Sequence, residues 1–578
     1  MIKSMKLAVA IAVLATAMMF GPAVNAQTFP FVAAGSSGAF QALAFAGDFG
    51  ATPVCGKFNW SQGKGFVTGH DNRTAAGASD VAGTIIVEWN TSDGTAGGTP
   101  TTICAYLNID SIVGVRLFFA QPQGSINFVG GCPSGGIAPS SPQQVPLLPP
   151  DVTLPQGVCN ALNGHVFNAA PSDIRPEDAA FGTQRACAAY TATSTGLGYG
   201  GTGNACSPGV SIVSGFGSSP ASAQPIAFNI SGTDPITGTA IPAYKSLNVG
   251  AQLMMVLANA TDTSDGGAGL GNAAFNNVDR WVLAEVFNRT LSRTRDLIPG
   301  GESLPAVPLN IVLREPLSGT MNTIEFQIAR NKEIDSSQEL LINPNGGPPT
   351  GWTGATNPLD ITKTKGGSRK IRAIGTGEMI KALAGTTSPT SSPALKNQIG
   401  YAFFSYGNVA PLTNGTSTSV GKYLTVDGVD PLYADYASNP NGPGVLPVCT
   451  VGSGSSSCTN AISFPNIVNG SYPIWNVLRV ITTTSLGANG GSVSNLVNAA
   501  QNYVTNTAYN VPDFVPYNNL AVFRSHSAIT LNGKSVPAHN GFTSAVESGS
   551  DVDGAVFNVE SELDYQSDTN KELINFHQ

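Results

Sequence analysis

An arginine closes an apolar run and a Ser-Gly-Thr follows four residues later, in Arg314-Glu-Pro-Leu-Ser318-Gly319-Thr320. The run Val307 to Leu313 reads as a buried strand, and Met321 to Arg330 reads as the amphipathic helix that follows it. A strand handing over to a helix in so few residues is the unit from which α/β folds are built. The junction also has a chemistry. A helix start presents unpaired backbone N–H groups and the positive end of the helix dipole, and glycine lets a ligand come close to the backbone. With two hydroxyls and a guanidinium added, Arg314, Ser318, Gly319 and Thr320 suit a tetrahedral oxyanion.

The compartment follows from the N-terminus. Lys3 and Lys6, the apolar stretch Leu7 to Phe20 and the small residues around Val24-Asn-Ala26 read as a secretory signal cut after Ala26. No later stretch has the length and apolarity of a membrane span, so a soluble periplasmic or extracellular protein is expected, most simply a monomer. Eight cysteines, at 55, 104, 132, 159, 187, 206, 449 and 458, read as disulfides in an exported chain. The local choices are Cys449 with Cys458 and, more weakly, Cys187 with Cys206. None falls between 207 and 448, which sets the middle of the chain apart as a separate lobe. No cysteine or histidine spacing resembles a metal site, and no cofactor is expected. Charged residues make up only 11% of the chain and the net charge is −8, which argues against a nucleic-acid partner. An anion site in such a chain has to be built locally, against a repulsive overall field.

Along the chain, Phe29 to Ala34 reads as a strand, Gly35-Ser36-Ser37-Gly38 as a turn, and the residues after it as a helix. Residues 83–90 and 105–120 read as strand segments. Two Gly/Pro/Ser-rich stretches, about 121–160 and 191–245, read as inserts. Pro176, followed by two acids, marks a helix start. From 248 onward, a strand at 248–258, a helix at 273–292, the Arg314 junction, a helix at 376–385 and a strand at 399–406 alternate. This order predicts an α/β fold with a mainly parallel sheet flanked by helices.

The order of landmarks resembles the phosphate-specific periplasmic substrate-binding proteins of ABC importers, which have the two-lobed type II periplasmic binding protein fold. The resemblance rests on Leu283-Ala-Glu-Val-Phe287, Arg314-x-x-x-Ser318-Gly319-Thr320, Gly375-x-Gly377-Glu-Met379, Ile399-Gly400-Tyr401, Val426-Asp427-Gly428-Val429-x-Pro431 and Tyr472-Pro473-Ile474. It covers residues 250–475 well, the first 250 residues in patches and the last hundred hardly at all. It implies a signal peptide at 1–26, a first lobe at 27–247, a second lobe at 248–404 and a return to the first lobe at 405–578. Hinges would lie near 245–252 and 400–408.

The site implied by the resemblance comprises Arg314, Ser318, Gly319 and Thr320, with Ser37 and Gly38 of the first turn, or Ser36 in a shifted register, and Asp173. At Asn108 to Arg116 the chain departs from the family pattern, because Val115 stands where the family has a serine; either Ser111 or Arg116 replaces its hydroxyl, or the ligand differs. An aspartate has a use in such a site, since monohydrogen phosphate carries a proton for it to accept and sulfate carries none. Arg314 close to Asp173 would lower the pKa of that carboxyl. For Arg116 the ordinary alternative is a local ion pair with Asp110, and for Asp173 a helix cap or a pair with Arg175. The implied function is capture of inorganic phosphate without chemistry, with a membrane permease as possible partner. The alternatives are a surface or adhesion protein on the same scaffold that recognises another oxyanion, and a phosphatase, for which the sequence offers no metal set or activated nucleophile.

Overall fold

The computed structural model describes residues 27–525, apart from 47–53, 56–58, 74–80, 141–150, 177–178, 180–210, 214–222, 226–227, 262–266, 315–317, 325–327, 329–358, 361–367, 386–395, 414–419, 451–456, 459–461, 484–486, 506–512 and a few single residues, together with 529–531, 534–536 and 555–558. The expected signal segment, the pair Cys187 and Cys206, and most of the second insert lie outside the described residues.

The fold is α/β, as expected. Fourteen strands form one sheet: β1 (Thr28–Gly35), β2 (Asn59–His70), β3 (Val81–Thr91), β4 (Pro100–Asn108), β5 (Ser125–Phe128), β6 (Ala169–Ser172), β7 (Tyr244–Asn259), β8 (Asn310–Arg314), β9 (Leu359–Asp360), β10 (Lys370–Ala373), β11 (Gln398–Phe403), β12 (Gly421–Tyr423), β13 (Trp475–Thr483) and β14 (Val515–Pro516). Their order is β9-β10-β8-β11-β7-β13-β6-β1-β4-β3-β2-β5, with β12 and β14 also paired to β7. Each half has a parallel core: β6-β1-β4 in the first and β10-β8-β11 in the second. Antiparallel strands surround these cores.

Burial on both faces explains why the parallel strands are continuously apolar. In β1, Val32 and Ala34 face one core while Phe31 and Ala33 face another. Helices α1 (Phe40–Ala46) and α8 (Gly487–Thr505) contribute to the second core, and α2 (Ser111–Phe119) to the first. Further helices are α3 (Gln156–Leu162), α4 (Arg280–Asn288), α5 (Gly319–Ile324), α6 (Gly375–Leu383) and α7 (Tyr406–Thr413). Helix α2 corrects the sequence expectation of a strand through 120. All nine of its residues are buried, so its apolar positions carry no helical periodicity, and the turn begins only after Asp110 in extended conformation (φ −121°, ψ 156°).

The halves share one strand. β7 is 16 residues long; residues 244–253 pair with β13, residues 254–258 with β11 and residues 257–259 with β12. After β11, β12 pairs with the end of β7 and β13 with its first ten residues, Trp475 opposite Leu253.

Disulfides Cys55–Cys104 and Cys132–Cys159 join distant parts of the first half, neither of them a pairing favoured from sequence. The strands at 449–450 and 457–458 place Cys449 opposite Cys458 in the backbone register. Among the described residues, no helix is long and apolar enough to cross a membrane.

A late segment straps the junction of the halves. Val515 and Pro516 pair with Ala251 and Gly250 of β7, and Asp513 accepts a hydrogen bond from the backbone N–H of Tyr406, at the start of α7, at 3.0 Å. A Cβ on Gly250 would lie 2.3 Å from the Val515 carbonyl oxygen and 2.4 Å from the Phe514 ring. Gly250→Ala is therefore expected to destabilise the protein by about 1–3 kcal/mol through overpacking, measured as a lower urea midpoint; an unchanged midpoint would contradict this packing. Burial pushes the Asp513 carboxyl up from 3.8 to about 7, against the lowering effect of the Tyr406 hydrogen bond. Between those values the folded protein holds a proton that the unfolded chain has released, so this group costs stability as pH rises through that window. Asp513→Asn removes the cost. The variant should gain stability relative to the parent by on the order of 1 kcal/mol per pH unit from pH 4 to 7, and a pH-independent difference in urea titrations would contradict the assignment.

Candidate anion site at the strand ends

Ligands of open α/β sheets bind outside the carboxyl ends of parallel strands. Here those ends belong to β1, β4, β6, β8 and β10, and each leads into a helix start or tight turn. β1 leads into the Ser36–Gly38 turn, where the Ser36 hydroxyl accepts the Gly38 N–H at 3.0 Å. β4 leads to Asp110 and Ser111, and β6 to Asp173 and a helix starting at Pro176, in agreement with the sequence. β8 ends at Arg314, and β10 ends just before Gly375.

Arg314 is the centre of this arrangement. It is 1% exposed and reaches across the halves to Asp110, Nη2 to Oδ1 at 3.4 Å, and its Nη1 donates to the Thr376 hydroxyl at 3.2 Å. Its backbone N–H donates to the Tyr401 hydroxyl at 3.2 Å. Sequence reasoning misses both Asp110 and Thr376. It pairs Asp110 with the nearby Arg116, and Thr376 occupies the variable position of Gly375-x-Gly377, where no residue type is specified.

Arg116 lies elsewhere. It is buried, and burial lowers its pKa to about 10, against the attraction of Asp71 and with added repulsion from Arg73. Arg73 itself bridges Asp71 at 2.8 Å and Asp234 at 3.0 Å. The structure thus groups Arg116 with an ion cluster that anchors the 228–241 segment, and pairs Asp110 with Arg314.

Below Arg314, Asp173 meets α5. The Ser111 hydroxyl donates to Asp173 Oδ1, the Thr320 hydroxyl lies 3.5 Å from Oδ2, and a Cβ on Gly319 would fall 1.7 Å from Oδ1. A side chain there would displace the Asp173 carboxyl. The Ser318 hydroxyl accepts the Met321 N–H at 3.4 Å and caps the helix. Burial raises the Asp173 pKa, outweighing the hydrogen bond from Ser111 and the charge of Arg314. The net shift is therefore opposite to the lowering expected from Arg314 alone. Of the two residues that could replace the serine at Val115, Ser111 joins the cluster and Arg116 does not.

Ser37, Gly38, Arg314 and Thr376 also line a cleft of about 440 Å³ between the halves. The sequence candidates therefore fall into two layers. Arg314, Ser37 and Gly38 border the cleft, while Ser111, Asp173, Gly319 and Thr320 are packed together, with Ser318 capping the same helix. Among the described residues no group of His, Cys, Asp and Glu is placed to hold a metal.

No family model and no curated protein matches the chain. Solved structures similar to it include a putative phosphate ABC transporter substrate-binding protein with bound phosphate from Clostridium perfringens, at 13% identity and TM-score 0.26, covering 46% of this chain and 72% of that one. An ABC-type phosphate transport receptor from Vibrio cholerae has 10% identity and TM-score 0.27, with 49% and 78% covered. A phosphate-binding protein from Stenotrophomonas maltophilia has 13% identity and TM-score 0.24, with 48% and 68% covered. At these scores the likeness is a distant one.

Proposed function

We propose that the chain is an exported solute-binding protein that takes inorganic phosphate in the cleft between its halves, without turnover, and presents it to a membrane permease. The observation that carries this reading is the buried guanidinium of Arg314, held by Asp110 and Thr376 at the floor of a cleft bordered by both halves. A guanidinium fixed on two sides is pre-organised for an oxyanion and has little side-chain entropy left to lose. Ser37 borders the cleft from the opposite half, and the Gly38 N–H would exchange its bond to the Ser36 hydroxyl for one to the anion. In this reading Asp173 turns from Ser111 and Thr320 to accept the proton of monohydrogen phosphate, the feature that separates phosphate from sulfate.

Arg314→Met removes charge-assisted hydrogen bonds of roughly 1.5–3 kcal/mol each, so phosphate affinity should fall at least tenfold in calorimetric titration; an unchanged affinity would sink the proposed site. Asp173→Asn should leave a protein that binds phosphate with at least tenfold poorer discrimination against sulfate. Equal discrimination in parent and variant would remove Asp173 from the selectivity mechanism.

A further inference from the structure

Two carboxamides, opposite each other on neighbouring strands, tie the walls of the proposed site to the sheet. Gln252 lies where β7 changes partners: Leu253 pairs with Trp475 of β13, and Met254 with Phe403 of β11. Asn476 is its register partner on β13, so the two side chains stand on one face of the sheet. Both are fully buried, at 0% exposure. Gln252 Nε2 donates at 3.3 Å to the Gly38 carbonyl, in the turn of the first half, and at 3.3 Å to the Phe404 carbonyl, just after β11. The fit to the turn is close, since a Cβ on Gly38 would lie 2.4 Å from Gln252 Oε1. Asn476 Nδ2 donates at 3.1 Å to the Thr323 hydroxyl of α5, the helix whose Gly319 and Thr320 meet Asp173.

Stability alone does not account for this pair. Gln252 Oε1 and Asn476 Oδ1 are buried and receive no hydrogen bond among the described residues. A buried acceptor without a donor is costly, and apolar side chains of the same shape can hold two strands together as well. What an apolar pair lacks is the donors that reach Gly38, Phe404 and Thr323. A binding site needs its walls held to within about 0.5 Å by neighbours whose own positions are locked.

We infer that Gln252 and Asn476 are the positioning residues of the anion site: they set the Ser37–Gly38 turn against α5, and neither touches the anion. This rests on the proposed function and names the residues that hold its two walls in place. Loss of either side chain releases a wall, so the two act as one unit.

The test is calorimetric titration of the full chain, freed of bound ligand, with inorganic phosphate, alongside urea unfolding. Gln252→Met, Gln252→Glu and Asn476→Leu should each bind phosphate at least about fivefold more weakly than the parent while still unfolding cooperatively. The double variant Gln252→Met/Asn476→Leu should stay within about twofold of the weaker single variant, because its two losses are coupled. Asn259→Leu removes a buried carboxamide from the far end of β7, where Nδ2 donates to the Leu383 carbonyl at 2.8 Å. It should lower the urea midpoint and leave phosphate affinity within about twofold of the parent. Parent-like affinity in the Gln252 and Asn476 variants, losses that multiply in the double variant, or an equal loss in Asn259→Leu would overturn the inference and leave the phosphate-binding reading standing. Absence of phosphate binding by the parent would overturn both. Gln252→Glu keeps the size of the side chain and replaces its donor by an acceptor, so it decides the matter where the other variants fail to fold.

Discussion

Residues 244–259 form one strand whose first part pairs with β13, with a register shift at Val249, and whose last part pairs with β11 and β12. A shared strand ties the parallel core of one half to that of the other, so the carboxyl ends of β1, β4 and β6 are set against those of β8 and β10 by backbone hydrogen bonds. The strap at 513–516 lies on the same strand and ties it to the start of α7. Gly250 exists in this strand for a steric reason, since the strap leaves no room for a side chain.

That backbone frame supports an unusual burial of charge. Arg314, Asp110 and Asp173 are each no more than 2% exposed. Burying charged groups costs several kcal/mol per ion after relaxation, and pairing offsets this only where geometry is good and the remaining donors and acceptors are used. Here Thr376, Ser111 and Thr320 take up part of that demand. The second buried cluster, Arg73 with Asp71, Asp234 and Arg116, fastens a long insert to the first half, away from the cleft. Both clusters contain arginine and aspartate. What separates them is access to the cleft, which Arg314 has.

The parts of the site legible in the sequence are those in which one short segment carries the whole signal. The apolar run before Arg314, the Ser-Gly-Thr after it and the Gly/Ser turn after β1 are strand-to-helix junctions written within a few residues, and the structure builds each of them. Pro176 likewise marks its helix start. What is illegible depends on partners distant in the chain. Asp110 lies 204 residues from Arg314, and its proximity to Arg116 in sequence points to the wrong ion pair. Thr376 gives no signal of its own. Helix α2 reads as strand because complete burial erases the periodicity that distinguishes the two. The disulfides Cys55–Cys104 and Cys132–Cys159 span 49 and 27 residues, separations at which spacing alone specifies no pairing.

Phosphate capture in this cleft requires that the Arg314 guanidinium hold the anion. A crystal structure of the full chain grown with inorganic phosphate tests this most directly. The expected result is a tetrahedral anion within hydrogen-bonding distance of both Arg314 and the Ser37–Gly38 turn. An anion bound elsewhere, or a phosphate-soaked cleft in which Arg314 keeps only its contacts to Asp110 and Thr376, would contradict it.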